Sequence, residues 1–335
     1  MKKDIYLILT AILSAVCLTA CAGANAQELT NQVKDDSKIH IVTTIFPEYD
    51  WVMNILGEKK ENAEVTMLLD TGVDLHSYQP TAEDIMKIGT CDLFIYVGGE
   101  SDEWVEDALK EAVNKDMTVI NLLDVLGDAV KEEEVVEGME AEEEEEEGEE
   151  GEEEPEYDEH VWLSLKNAQV LTLSIAEAIK KIDPENAESY QKNTDAYIGQ
   201  LQALDQRYEE AVDAAPVKTL LFGDRFPFRY LTDDYRLSYY AAFVGCSAET
   251  EASFETITFL AGKADELELP AVMTIEGKDH RIAETIVAST QTKDQKILTL
   301  DSLQSTTAKD VENGTNYLSV MEQNLSVLKE ALQTK

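Results

Sequence analysis

The feature that most constrains the fold of this 335-residue chain is a helical pattern of about 30 residues that runs unbroken near its middle. Asp183 before Pro184 is a typical helix start, and Pro216 is the next residue that must end a helix. One face carries residues at spacings of three and four, namely Ala187, Tyr190, Thr194, Tyr197, Leu201, Leu204, Tyr208 and Ala211. At about 1.5 Å per residue the helix is about 45 Å long, more than one small lobe needs. We therefore predict a rigid linking helix over residues 183–213 between two lobes, with a helix packed wholly inside one lobe as the alternative.

Strands and helices alternate on both sides of the linking helix. The runs with strand character, rich in β-branched or aliphatic residues, are residues 39–45, 65–69, 92–98 and 118–122 before it and 217–222, 270–275 and 296–300 after it. Such alternation is typical of parallel sheets that are covered by helices. The sequence therefore predicts an α/β fold of two lobes, residues 39–182 and 214–335, each with a small, mostly parallel β-sheet flanked by helices.

The N-terminus carries a targeting signal. Lys2 and Lys3 precede an apolar stretch, residues 5–16, that is shorter than the roughly 20 residues of a membrane-spanning helix. Leu18-Thr19-Ala20-Cys21 then resembles the bacterial lipobox, whose cysteine receives the lipid. We predict a lipoprotein signal peptide over residues 1–20, lipidation of Cys21, a tether over residues 21–38 and an extracytoplasmic chain anchored to the cell membrane. A simple secretory signal is the alternative.

The chain is strongly acidic, with a formal net charge of -42. Residues 132–159 hold 19 Asp and Glu and neither Lys nor Arg, and the rest of the chain still has 50 acidic and 27 basic residues. Such a surface repels nucleic acids and attracts cations, which argues against nucleic-acid binding. The acidic run has no apolar periodicity, so we predict a disordered acidic loop over residues 131–157.

Four side chains that can bind a metal follow predicted strands. His76 follows the second strand, His160 follows the fourth strand after the acidic run, and Asp224 and Asp301 follow strands of the second lobe. Ligands bind at the carboxyl ends of strands in such sheets, so we expect the four to meet across a cleft between the lobes. Two imidazoles and two carboxylates suit zinc and also manganese. His280, which follows the strand at residues 270–275, is a competing candidate.

Two motifs around the histidines resemble those of the zinc and manganese solute-binding lipoproteins of ABC importers. DTGVDLHSYQP, at the start of residues 70–99, is similar to the motif that supplies the family's first histidine ligand, here His76. DEHVWLSLKNA, residues 158–168, is similar to the motif of the second histidine ligand, here His160. The resemblance runs from about residue 39 to the end, apart from the acidic run. It implies a binding protein that delivers its metal to a membrane permease, and we expect a monomer.

The second lobe departs from the family's pattern. The family's third ligand is a His or Glu, and the corresponding segment here, FGDRFPFRYL at residues 222–231, has neither. Arg225 falls at the ligand position, and a shift of one residue places Asp224 there. Asp301 matches the family's final carboxylate. If Asp224 only shapes its loop, His280 or Glu251, which lies in an acidic segment similar to one in the family, completes the site.

These features together predict high-affinity Zn²⁺ binding in the interlobe cleft and delivery to an ABC permease. Mn²⁺ is the alternative cargo, because two carboxylates make the site harder than three imidazoles would. By resemblance the acidic loop gathers metal near the cleft, with a solvated spacer as the alternative.

More distant alternatives for the function are a surface adhesin and a secreted zinc enzyme. The chain lacks an HExxH motif, and four protein ligands would close the coordination sphere, so no enzymatic activity is expected. Cys91 and Cys246, the remaining thiols after Cys21, are interpreted as small buried residues, and whether they pair stays open.

Overall fold

The computed structural model describes residues 37–140, 156–247, 251–277 and 279–334. The predicted signal peptide, Cys21 and nearly all of the tether lie outside these residues. Within the described part of the chain, every helix falls short of the length or the hydrophobicity that crossing a membrane requires.

The first lobe contains a four-stranded parallel sheet in the order β2-β1-β3-β4. Its strands are β1 Ile39–Thr43, β2 Ala63–Met67, β3 Leu93–Tyr96 and β4 Thr118–Asn121. Leu93, Phe94 and Ile95 are all fully buried, because helices cover both faces of the sheet. The first four predicted strands are therefore confirmed, with ends that differ by at most two residues.

The second lobe repeats this topology, with a parallel sheet in the order β6-β5-β7-β8. Its strands are β5 Thr219–Arg225, β6 Ser238–Phe243, β7 Ala271–Ile275 and β8 Lys296–Leu300. The sequence analysis identified β5, β7 and β8 but missed β6. The sequence of β6, SYYAAF, has three aromatic residues that favour a strand but no β-branched residue, and the sequence analysis looked for runs rich in β-branched or aliphatic residues. In the structure β6 pairs with β5.

Helices surround the two sheets. Those of the first lobe are α1 Phe46–Leu56, α2 Ala82–Thr90, α3 Trp104–Lys110, α4 Leu122–Leu126 and α5 Leu165–Ile182. The long helix is α6 Ala187–Ala214, and those of the second lobe are α7 Arg229–Asp234, α8 Phe254–Glu266, α9 Arg281–Ser289, α10 Ala308–Glu312 and α11 Tyr317–Ala331. The predicted α/β class, with two small parallel sheets and one long helix, is confirmed.

Helix α6 contacts both lobes along one face. The residues predicted for that face from Tyr190 to Ala211 are all buried. The Tyr197 hydroxyl donates to Asp50 of α1 at 3.3 Å, and the Tyr208 hydroxyl donates to the Met321 carbonyl of α11 at 2.6 Å. A 3₁₀ turn, Pro184–Asn186, precedes the helix, so the α-helix itself begins three residues after the predicted Pro184. Helix α6 therefore fixes the lobes to each other through packing at both of its ends.

A second connection between the lobes runs through a short 3₁₀ turn, Val161–Leu163, just before α5. The indole Nε1 of Trp162 donates to the Ser302 carbonyl at 2.9 Å, and the Tyr317 hydroxyl donates to the Trp162 carbonyl at 2.6 Å. Both aromatic side chains are fully buried. Buried polar groups of this kind are costly to leave unpaired, so the two hydrogen bonds hold the turn against the second lobe.

The boundaries of the predicted acidic loop need correction at both flanks. The amide of Glu133 donates to the Glu156 carbonyl at 2.9 Å, and the amide of Glu140 donates to the Ala242 carbonyl of β6 at 2.9 Å. Met139, in the same flank, is buried. The apolar residues inside the acidic run therefore anchor residues 131–140 to the fold, and the prediction of disorder now concerns only residues 141–155, which lie outside the described residues.

The interlobe hydrogen bond of Tyr317 generates a stability prediction. The Tyr317→Phe variant leaves the buried Trp162 carbonyl without its donor, which costs about 1–3 kcal/mol of unfolding free energy. Urea unfolding followed by far-UV circular dichroism measures this loss. Tyr240→Phe is the matched control, since the Tyr240 hydroxyl makes no hydrogen bond to a described residue. Equal unfolding midpoints for the two variants would contradict the prediction.

Candidate metal centre

His76 lies in a 3₁₀ turn, Leu75–Ser77, in the loop that follows β2. Asp74 caps this turn, because its carboxylate accepts the His76 amide at 3.1 Å. The other oxygen of Asp74 pairs with the guanidinium of Arg225, at the end of β5 in the second lobe. The Arg225 guanidinium of the second lobe therefore holds the loop that carries His76.

His160 is fully buried where the chain re-enters the first lobe after the acidic run. One oxygen of Asp158 accepts both the His160 amide, at 2.9 Å, and the ring Nδ1, at 3.1 Å. The Tyr230 hydroxyl in turn donates to the Asp158 carbonyl at 2.8 Å. An ionised carboxylate can only accept a hydrogen bond, so Nδ1 of His160 carries the proton and Nε2 is left as a metal donor.

The two imidazoles face each other through their Nε2 atoms, which are 3.2 Å apart. The Nδ1 atom of His76 lies 2.8 Å from Ser101 Oγ and 3.5 Å from Glu159 Oε2. Burial, followed by the neighbouring His160, lowers the pKa of His76 to about 3, so this ring is neutral at physiological pH. Nδ1 partners of this kind fix the ring orientation of metal-binding histidines.

The thiol of Cys246 completes this cluster from the second lobe. Its Sγ and one ring nitrogen from each of His76 and His160 all lie within 4.8 Å of one another. Cys246 follows β6 by three residues and lines a cavity of about 210 Å³. The cavity is lined by His76, Glu100, Ser101, Glu133, Glu156, Tyr157, Glu159 and Cys246. No disulfide joins Cys246 to Cys91.

Two acidic side chains of the first lobe stand beside the cluster. Glu159 is almost fully buried, and its Oε1 accepts the Ser101 amide at 2.9 Å. Burial raises the pKa of Glu159 to about 7. Glu133, from the anchored flank of the acidic run, accepts the Cys246 amide at 3.3 Å. Burial also raises the pKa of Glu133, and burial next to these acidic groups raises the pKa of the Cys246 thiol well above its usual value. A cation bound at the cluster would therefore lower the cost of burying these acidic groups.

The structure does not bring Asp224 to the two imidazoles. Its carboxylate oxygens accept the backbone amides of Arg225 and Ile275, at 3.0 and 3.3 Å, at a register shift of β5. His280 stands at the start of α9 and Glu251 is exposed, and neither belongs to the cluster. The ligand roles of these three residues stay predictions, and the hydrogen bonds of Asp224 agree with a part in shaping its loop.

Asp301 also lies outside the cluster. Its Oδ1 accepts the Leu303 amide at 2.8 Å, whereas no hydrogen bond from a described residue reaches its Oδ2. Burial and the nearby Glu276 carboxylate raise the pKa of Asp301 to about 6. A carboxylate that is buried beside a like charge gains from a nearby cation, so the predicted ligand role of Asp301 keeps a physical basis.

The separation of the two Nε2 atoms fits a tetrahedral metal. Zinc–nitrogen bonds are about 2.0–2.1 Å long, which places two nitrogens on one tetrahedral zinc about 3.3 Å apart. The observed 3.2 Å therefore matches two ligands of one ion without further movement of the rings. Neutral imidazoles held by second partners are the usual donors for zinc.

Sequence reasoning proposed both histidines but did not propose three residues that lie beside them, Cys246, Ser101 and Glu159. Cys246 was interpreted as a small buried residue because two cysteines that lie far apart in the sequence form no readable pattern, and β6, the strand before it, was not predicted. Ser101 and Glu159 have no motif of their own. The position of Glu159, directly before His160, was the available signal.

The chain is similar to known zinc-uptake proteins. The family described as ZnuA, zinc-uptake complex component A, periplasmic, matches residues 41–331. The zinc-binding lipoprotein AdcA of Streptococcus pneumoniae is 32% identical over 328 residues, which are 98% of this chain and 61% of that protein. This chain therefore spans about three fifths of the length of AdcA. The high-affinity zinc uptake system protein ZnuA of Bacillus subtilis is 31% identical over 97% of both chains.

The fold is also similar to that of a solved zinc-bound protein. The crystal structure of the Zn(II)-bound ZnuA-like domain of Streptococcus pneumoniae AdcA superposes with a TM-score of 0.68 at 29% identity, over 89% of this chain and all of that domain. The family match spans both lobes and both histidine motifs. The chain therefore belongs to the ZnuA family of zinc-uptake components, which are metal-binding proteins and not enzymes.

Proposed function

We propose that this chain captures Zn²⁺ between its two lobes outside the cytoplasm and delivers it to the permease of an ABC importer. The observation that carries the proposal is the pair of Nε2 atoms from His76 and His160, 3.2 Å apart and each on a ring oriented through its Nδ1. The names of the relatives, a zinc-binding lipoprotein and a zinc uptake system protein, support the choice of metal.

Capture proceeds by exchange of water for protein donors. A hydrated cation enters the cavity, loses water and binds His76 and His160, and the ring of His76 is already neutral in the folded protein because its pKa is lowered to about 3. The acidic groups around the cavity, including Glu133 and Glu159, offset the charge of the ion. Asp301 is the proposed carboxylate ligand from the second lobe, because the cation relieves its repulsion with Glu276.

Release requires the donors of the two lobes to separate. Helix α6 and the Trp162–Tyr317 connection oppose a wide opening of the lobes. We therefore infer that docking to the permease shifts the loops that carry the ligands by a small distance, with the lobes almost fixed. The lipid on Cys21 keeps the chain at the membrane, and the residues of that anchor lie outside the described part.

The first test removes the imidazoles. We expect His76→Ala and His160→Ala each to weaken zinc binding by more than about a hundredfold, because loss of a ligand exceeds the 10–100-fold effect of losing a supporting partner. Isothermal titration calorimetry with a competing chelator measures the affinity. His40→Ala is the control, since His40 lies on β1, pairs with Glu64 at 3.7 Å and is outside the cluster. Parental affinity in the double His76→Ala, His160→Ala variant would refute the proposal.

The second test compares the contributions of Asp301 and Asp224 to zinc binding. We expect Asp301→Asn to weaken zinc binding by about tenfold or more, because Oδ2 of Asp301 is not engaged by a described hydrogen-bond donor. We expect Asp224→Asn to change the affinity less than about threefold, since both oxygens of Asp224 accept backbone amides. The same titration compares the two variants. The opposite order of effects would identify Asp224 as the ligand.

A further inference from the structure

The turn that follows β6 brings the backbone of the second lobe unusually close to His160. A Cβ atom on Gly245 would lie 3.0 Å from Cε1 and 3.1 Å from Nδ1 of the His160 ring. A side chain at this position would make contacts tighter than most Cβ atoms make, so glycine eases the approach. The next residue, Cys246, thereby reaches the space in front of the two imidazoles.

The position at which the family carries its third ligand is occupied by Arg225, which cannot bind a cation. The Arg225 guanidinium instead pairs with Asp74 and so supports the turn of His76. The second lobe must therefore supply a metal donor from another position. In the described part of the chain, Cys246 Sγ is the second-lobe donor that lies within 4.8 Å of ring nitrogens of both histidines.

The distances suit a bond to sulfur. Zinc–sulfur bonds are about 2.3 Å long, so a sulfur and a nitrogen on one tetrahedral zinc lie about 3.6 Å apart. One ring nitrogen of each histidine lies within 4.8 Å of Cys246 Sγ, at most about 1.2 Å beyond the separation of two such ligands on one zinc. Rotation of one short side chain and a small shift of its turn cover that distance, whereas the lobes stay in place.

Building on the proposed function, we propose that Cys246 is the third metal ligand and that its thiolate makes the site selective for zinc over manganese. The metal displaces the thiol proton, so that the S–H bond breaks, an S–metal bond forms and one proton passes to solvent. The site is then two imidazoles and one thiolate, with Asp301 as the proposed fourth donor. Thiolates bind zinc strongly, whereas manganese prefers oxygen ligands. Cys246 thus determines the class of cargo.

The test uses Co²⁺, which replaces zinc and reports its ligands by absorption. We expect the parent protein to show a near-ultraviolet thiolate-to-cobalt charge-transfer band with a 1:1 end point. Cys246→Ser loses the band, and Cys91→Ala keeps it, because Cys91 lies in the first lobe next to Met117. In competition titrations we expect the ratio of the manganese to the zinc dissociation constant to fall at least about tenfold in Cys246→Ser. Cys246→Asp restores metal binding with a preference shifted towards manganese.

Each contrary outcome has a distinct meaning. Cobalt and zinc binding by the parent without the thiolate band overturns the role of Cys246 and leaves the proposed function intact. An unchanged manganese-to-zinc ratio in a folded Cys246→Ser variant overturns the selectivity role. A parent protein that binds none of the metals overturns both proposals. The parent spectrum gives the first result even if the variants fail to fold.

Discussion

The site depends on the orientation of two imidazole rings. Each ring uses its Nδ1 for a hydrogen bond within the first lobe, His76 to Ser101 and His160 to Asp158, and this leaves the two Nε2 atoms 3.2 Å apart. Without these partners either ring could rotate about its side-chain bonds and lose the geometry. The supporting residues are held in turn, Asp158 by Tyr230 and the Ser101 loop by Glu159. The donor geometry is therefore built into the folded chain.

The scaffold keeps this geometry within narrow limits. Helix α6 packs against both lobes, and the Trp162 turn, which directly follows His160, is bonded to the second lobe on both sides. One hydrophobic cluster includes residues of both sheets, so the lobes share a core. Separating them would expose that core, which is far more costly than moving a surface turn. This difference favours small loop movements over a wide hinge motion during metal exchange.

The charges around the cavity have two different functions. The carboxylates Glu133 and Glu159 are held near the cluster by backbone amides and lower the cost of burying a divalent cation there. Arg225 brings a positive charge to the same region, where burial of a second cation would be unfavourable. Its pairing with Asp74 neutralises that charge and fastens the His76 turn to the second lobe. Arg225, which cannot bind a metal, thus helps to position His76, which can.

The sequence by itself determined the α/β class, the two lobes, the face of the long helix and both histidines, because each of these rests on local periodicity or on a short motif. The order of the strands, the strand β6 and the hydrogen bonds of the imidazoles depended on tertiary structure. SYYAAF pairs with β5, and because the sequence analysis did not predict this strand, it did not place Cys246 after a strand end. Likewise Asp224 stood at a strand end in the sequence, but the register shift of β5 turned its carboxylate towards backbone amides. Spacing along a chain predicts which residues can bind a metal, whereas the packing of the two lobes decides which of them meet.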